Sequence, residues 1–95
     1  MRDRAIVDAI ARELEQAVEW VTSGAAPTSA TLARSLQRDL HAVLERHRRA
    51  GHLTAFALRC TPVRHADGRA GVAVEVGLRL PGRVQQVVLR LGALG

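Results

Sequence analysis

The chain has 95 residues, all fourteen of its Lys and Arg positions are arginine, and its formal net charge is +5 at pH 7. This length predicts a single domain, residues 1–95, with a thin two-layer core. The single cysteine excludes an internal disulfide, and no apolar run reaches the roughly 20 residues of a membrane-spanning helix. Because the first residues are also too charged for a signal peptide, we expect a soluble, cytoplasmic protein.

The first predicted element is an amphipathic helix over about residues 3–22. Its apolar residues recur at spacings of three and four, which places them on one face of the helix. They are Ile6, Ile10, Leu14, Ala17, Val18 and Val21. Trp20 lies beside this stripe, and we expect it to anchor the edge of the core. The alternative is that Trp20 is an exposed anchor for a partner.

A second helix is predicted over about residues 29–50. Either Thr28 or Ser29 caps its start, and Gly51 ends it. Its apolar stripe consists of Leu32, Leu36, Leu40, Val43 and Leu44. Because the link around Pro27 is short, the two helices should form an antiparallel hairpin.

After the second helix the apolar period changes to two, which is typical of half-buried strands. We expect strands over about residues 53–61, 70–80 and 83–91. The residues that share the apolar face of the second and third strands are Val72, Val74, Val76, Leu78, Leu80, Val87, Leu89 and Leu91.

Two turn signals separate the strands. A loop over residues 63–69 contains His65 and the Asp67-Gly68 pair, and Pro81-Gly82 breaks the second strand from the third. The order α-α-β-β-β predicts an α+β fold. In it, a two-helix antiparallel hairpin packs on one face of a three-stranded antiparallel sheet.

The sequence contains no recognisable catalytic or metal-binding pattern. The pair His41 and His47 is spaced i,i+6, whereas a metal pair on a helix needs i,i+3 or i,i+4. Cys60 is best interpreted as a small buried thiol on a strand. No nucleophile elbow, P-loop or dinucleotide-binding fingerprint is present, so we expect neither an enzyme nor a cofactor.

The run Arg46-His47-Arg48-Arg49 is the strongest local charge feature. In the structural interpretation, which we favour, these cations offset the dipole at the carboxyl end of the second helix. In the alternative interpretation, Arg46, Arg48 and Arg49 contact nucleic-acid phosphates in a small basic binding module. Exposed aromatic residues for base stacking are almost absent from the chain, which argues against binding to single strands.

The third predicted strand is poorly protected against pairing with another chain. It contains no proline, and Arg83 and Arg90 are its only charges. One interpretation is that its shortness, these arginines and a covering loop are sufficient protection. The other is that a partner adds a strand there. The residues of that edge are Val84, Gln85, Gln86, Val87, Val88, Leu89 and Arg90.

Six segments of the chain carry a recognisable pattern: Leu14–Val21, Arg49–Leu53, Ala55–Cys60, Asp67–Arg69, Val74–Leu78 and Pro81–Leu91. They contain a helix with Trp-Val, a turn, a strand that closes on Leu-Arg-Cys, a strand led by Gly-Arg, and a last strand that runs from Pro81 to Val-Val-Leu-Arg-Leu. Together they resemble the C-terminal domain of contractile tail sheath proteins, found in phage tails and contractile injection systems. Baseplate wedge proteins of the same machines are similar in pattern.

The resemblance implies assembly with sheath, tube or baseplate subunits, within an oligomeric, virion-like particle. Such subunits interlock by terminal arms that add strands to a neighbour's sheet. The acceptor edges would be Val84–Arg90 and a second edge formed by Thr54, Phe56, Leu58 and Cys60.

The chain also departs from the family pattern. It lacks the large sheath domains, and Thr61 stands where the family usually has an acidic residue. Because only Gly92–Gly95 follow the last predicted strand, we expect it to accept a strand rather than donate one. A cap, adaptor or accessory subunit would do so.

Overall fold

The computed structural model describes residues 2–23, 28–64, 68 and 70–94. The element order is α-α-β-β-β, so the predicted α+β fold is confirmed. The elements are α1 (Arg2–Ser23), α2 (Ser29–Arg49), β1 (Ala55–Arg64), β2 (Ala70–Arg79) and β3 (Gln86–Leu94). Within the described residues, neither helix combines the length and the apolar character that crossing a membrane would need.

The sheet is an antiparallel meander in the order β1-β2-β3, with β2 at its centre. Both helices lie on one face of it: α1 packs against β3, and α2 packs against β1 and β2. The predicted apolar stripes of α1, α2 and the second strand supply most of the buried core, while Val87, Leu89 and Leu91 of β3 are only partly buried. The buried core residues are Ile10, Leu14, Val18, Leu32, Ala33, Leu36, Leu40, Leu44, Leu53, Val72, Val74, Val76, Leu78 and Leu80.

The start of α2 is joined to the far end of the β1–β2 pair. Thr28 is the N-cap residue, since its hydroxyl accepts a hydrogen bond from the Thr31 N–H at 3.1 Å. Ser29 instead donates its hydroxyl to the Val63 carbonyl at 3.1 Å and accepts from the Gly71 N–H at 3.2 Å. Val63 and Gly71 are opposite each other in the ladder, so a single side chain fixes the helix to both strands.

The predicted limits of β1 were wrong at both ends. Thr54 precedes the strand rather than lying in it, and its N–H donates to the Arg79 carbonyl at 2.9 Å. The strand continues through Pro62 to Arg64, because proline is tolerated in an edge strand. Val63 and Arg64, which we expected in the loop over residues 63–69, therefore belong to β1. Residues 65–67 and 69 of that loop lie outside the described part, and Gly68 has φ +84°.

The predicted start of β3 was also wrong, because Val84 and Gln85 belong to the connection that precedes Gln86. The chain reverses between Leu80 and Arg83, whose N–H donates to the Leu80 carbonyl at 3.2 Å. Pro81 followed by Gly82 at φ +75° has the residue pattern of a type II turn. This turn delays the strand, which then extends beyond the predicted residue 91 to Leu94.

Trp20 is 78% exposed, so the expectation that it anchors the edge of the core was wrong. Val18 and Val21 face the core, and Trp20 lies two positions after Val18. Two positions rotate a side chain about 200° around a helix axis, which brings Trp20 to the opposite side.

Candidate functional site

The two outer strands of the sheet each carry an open main-chain edge. β1 and β3 both pair with β2, and among the described residues no further strand pairs with either. Phe56, Leu58 and Cys60 of β1 direct their side chains toward the helices, as Val87 and Leu89 of β3 do, and all five are only partly buried. The edge residues therefore cover the core incompletely.

Two observations indicate which main-chain groups face outward. Pro62 lacks an N–H, so it suits a position of β1 whose main-chain groups point away from β2. The adjacent Val63 carbonyl and its opposite Gly71 N–H share the Ser29 hydroxyl, so they point toward each other. The direction of the main-chain groups alternates residue by residue along a strand, so the odd-numbered residues of β2 bond β1 and the even-numbered ones bond β3. Val88 is opposite Gly77, an odd-numbered residue. We therefore infer that Val88 directs its N–H to the open edge.

By the same alternation, Gln86, Val88 and Arg90 all present their main-chain groups to the open edge of β3. Their side chains lie on the sheet face that the helices leave uncovered, and Val88 is 51% exposed. Arg90 Nε lies 3.6 Å from Glu75 Oε2 on β2, its neighbour in the register. This arginine is the only charged residue of β3.

The edge of β1 is better protected than that of β3. Pro62 removes one main-chain donor from it, and Arg59 and Arg64 add two charged side chains. β3 has no proline over its nine residues and only a single charge. The more accessible template for an added strand is therefore β3.

Small residues line the uncovered face of the sheet beside this edge. Ala57, Gly77 and Val88 form one row across the strands. A Cβ atom added at Gly77 would collide with Gln86 Nε2, because the Gln86 side chain crosses directly over this glycine.

The arginines of the last turn of α2 are exposed but paired with carboxylates. Arg46 Nη2 lies 2.7 Å from Glu13 Oε2, and Arg49 Nε lies 3.4 Å from Glu45 Oε1. Arg48 also pairs with Glu45, and the hydrogen bond from Arg48 is the main cause that lowers the pKa of Glu45 to about 2. Three cations thus meet two carboxylates, which reduces the charge available to a phosphate.

A buried histidine joins the two helices at the same end of the molecule. His47 is 8% exposed, and its Nε2 lies 2.6 Å from Glu13 Oε2. Its Nδ1 lies 2.9 Å from His52 Nδ1, so one of the two rings donates to the other. The hydrogen bond to His47 is the main cause that lowers the pKa of Glu13, with Arg46 adding to it and burial opposing it.

The other candidate groups are not brought together. His41 is exposed and contacts the Phe56 ring edge-on, at 5.3 Å between ring centroids. Cys60 is partly buried, and burial raises the pKa of its thiol, which disfavours the nucleophilic thiolate. Across the described ranges, no group of three His, Cys, Asp or Glu residues is placed to hold a metal ion.

Comparisons with known proteins identified no relative of this chain. No family model, no curated protein and no solved structure matches the chain.

Proposed function

We propose that this chain is a structural assembly module of a contractile, phage-tail-like particle, which binds neighbouring subunits by β-strand addition. Its partners are subunits of the sheath, tube or baseplate type. The proposal is carried by the open, nearly uncharged edge of β3, together with the sheath-like pattern of the sequence.

The physical basis is the row of main-chain groups along β3. A main-chain hydrogen bond contributes a net ~0.5–1.5 kcal/mol, so the several that an added strand forms sum to a useful binding free energy. The side chains of the added strand would also cover Val87 and Leu89, which are only partly buried in this chain. Function on this proposal needs no catalytic group.

Replacing Val88 by proline tests the proposal directly. Val88→Pro removes one outward N–H and, on our assignment, no hydrogen bond to β2. We expect the variant to fold but to be lost from assembled particles. The measurement is co-production with the sheath, tube and baseplate proteins of a contractile particle, followed by purification of particles and quantification of the bound chain.

Val88→Thr is the matched control, because threonine keeps the N–H and suits a strand. Circular dichroism establishes that both variants are folded. Equal incorporation of the proline and threonine variants would contradict strand addition at β3. Absence of the unmodified chain from particles would contradict the assembly role itself.

A nucleic-acid-binding module is the second candidate, favoured by the exposure of Arg46, Arg48 and Arg49. It predicts binding to duplex DNA or RNA that weakens steeply with salt and is abolished when all three become glutamine. Fluorescence anisotropy at low ionic strength measures this. Because Glu13 and Glu45 already neutralise much of the turn, we expect no such binding.

A further inference from the structure

A groove of about 450 Å³ opens where the edge of β3 begins. It lies between the first turns of α1 and the connection from β2 to β3. Its apolar lining comes from Val7, Leu80, Val84 and Val87, and Val84 is 92% exposed. A strand added along β3 would pass the mouth of this groove.

The charged residues that the structure describes in the lining of the groove are of one sign. They are Arg4 of α1 and Arg83 of the connection, and none of the described lining residues is acidic. Arg4 forms no ion pair with any carboxylate among the described side chains. The groove therefore complements an apolar side chain with a carboxylate close to it.

Neither edge strand of a second copy of this chain provides such a segment. Residues 76–95, which include β3 and the connection before it, contain no acidic residue, and neither does β1. Pairing β3 with another β3 would bring arginines near arginines rather than near carboxylates. The charge pattern therefore favours a different protein as the occupant.

We propose that the groove selects the partner strand: the segment that adds to β3 is acidic and inserts one large apolar side chain between Val7 and Val84. This inference rests on the proposed strand addition and specifies its ligand. The main-chain ladder supplies affinity without regard to sequence, and the groove with Arg4 supplies the specificity.

Three synthetic peptides of nine residues, the length of β3, test the proposal. The first alternates valine and threonine, with a central leucine and glutamates near both ends. In the second, lysines replace the glutamates, and in the third, glycine replaces the leucine. We expect the first peptide to bind about tenfold or more tightly than either of the others in fluorescence anisotropy.

Charge reversal on the protein provides the matched comparison. Arg4→Glu should invert the preference, so that the lysine peptide binds more tightly than the glutamate peptide. Arg12→Glu makes the same change of net charge on an exposed position of α1 outside the groove, and should leave the preference intact. Val84→Ser changes a side chain that is 92% exposed, and should remove the advantage of the leucine peptide.

Equal affinities for the three peptides, or equal effects of Arg4→Glu and Arg12→Glu, would overturn this inference. So would sedimentation showing a dimer that excludes the peptides, since the occupant would then be a second copy. If Val88→Pro blocks incorporation into particles while the peptide preferences are absent, the proposed function stands and only the groove inference fails. Undiminished peptide binding by Val88→Pro would instead contradict strand addition.

Discussion

Replacing Leu40 by alanine is expected to lower the free energy of unfolding by about 2–5 kcal/mol. Leu40 lies on α2, is 0% exposed and contributes to the single layer of side chains between helices and sheet. Because so thin a core has few neighbours that can move into the space, the cavity should persist. Urea denaturation followed by far-ultraviolet circular dichroism measures the loss.

Gln37→Ala is the matched control, since Gln37 is exposed on the same helix. It should change the free energy of unfolding by less than about 0.5 kcal/mol. A similarly small change for Leu40→Ala would mean that α2 does not pack on the sheet as described.

Replacing Glu13 by leucine is expected to cost about 1–3 kcal/mol, because His47 Nε2 would be left without its acceptor in a buried position. Glu13→Gln keeps an acceptor oxygen at this place and should cost less. The comparison separates the hydrogen bond from the charge of the carboxylate. Thermal unfolding of the three proteins at pH 7 measures both differences.

The native protein and Glu13→Gln should also differ in how their stability depends on pH, and the sign of this difference is defined. The pKa of Glu13 is lowered from 4.5 by its hydrogen bond with His47, so this carboxylate stabilises the fold fully above about pH 4.5. That stabilisation is lost as the pH falls through the folded-state pKa. The stability gap between the native protein and Glu13→Gln should therefore narrow below pH 4.5. A constant gap down to pH 3 would contradict the role of the carboxylate charge, since Glu45 is common to both proteins.

The fold was predictable because its patterns are local. Spacings of three and four along α1 and α2, and a period of two along β2, each place one apolar face toward a common core. Hydrophobic periodicity reflects burial directly, so the class and order of the elements followed from it. The same rule explains why the prediction for Trp20 was wrong. Trp20 lies two residues after Val18, which places it off the apolar stripe, so it is exposed.

The ends of the strands were less predictable because they depend on tertiary context. Pro62 reads as a strand breaker in isolation, yet it continues β1 because its missing N–H lies at an edge. After the turn at Pro81-Gly82, β3 begins only at Gln86. The alternation of apolar and polar residues from Val84 onward does not show this later start.

The contact of Glu13 with His47 was not predictable from the sequence. The two residues are 34 positions apart, and their meeting depends on the relative alignment of α1 and α2. His52 reaches the pair only because the chain reverses at Gly51, whose φ is +84°. The groove beside Arg4 likewise depends on where the first turns of α1 lie over β3.

Ser29 removes an ambiguity that hydrophobicity leaves in place. Sliding β1 by two residues along β2 would keep every apolar side chain on the helix side, so burial alone discriminates weakly between such alignments. The Ser29 hydroxyl bonds one carbonyl and one N–H that are opposite each other only in the observed alignment. The Ser29 hydroxyl thus selects one alignment of β1 and β2 among those that burial leaves nearly equivalent, and it does so at the point where α2 begins.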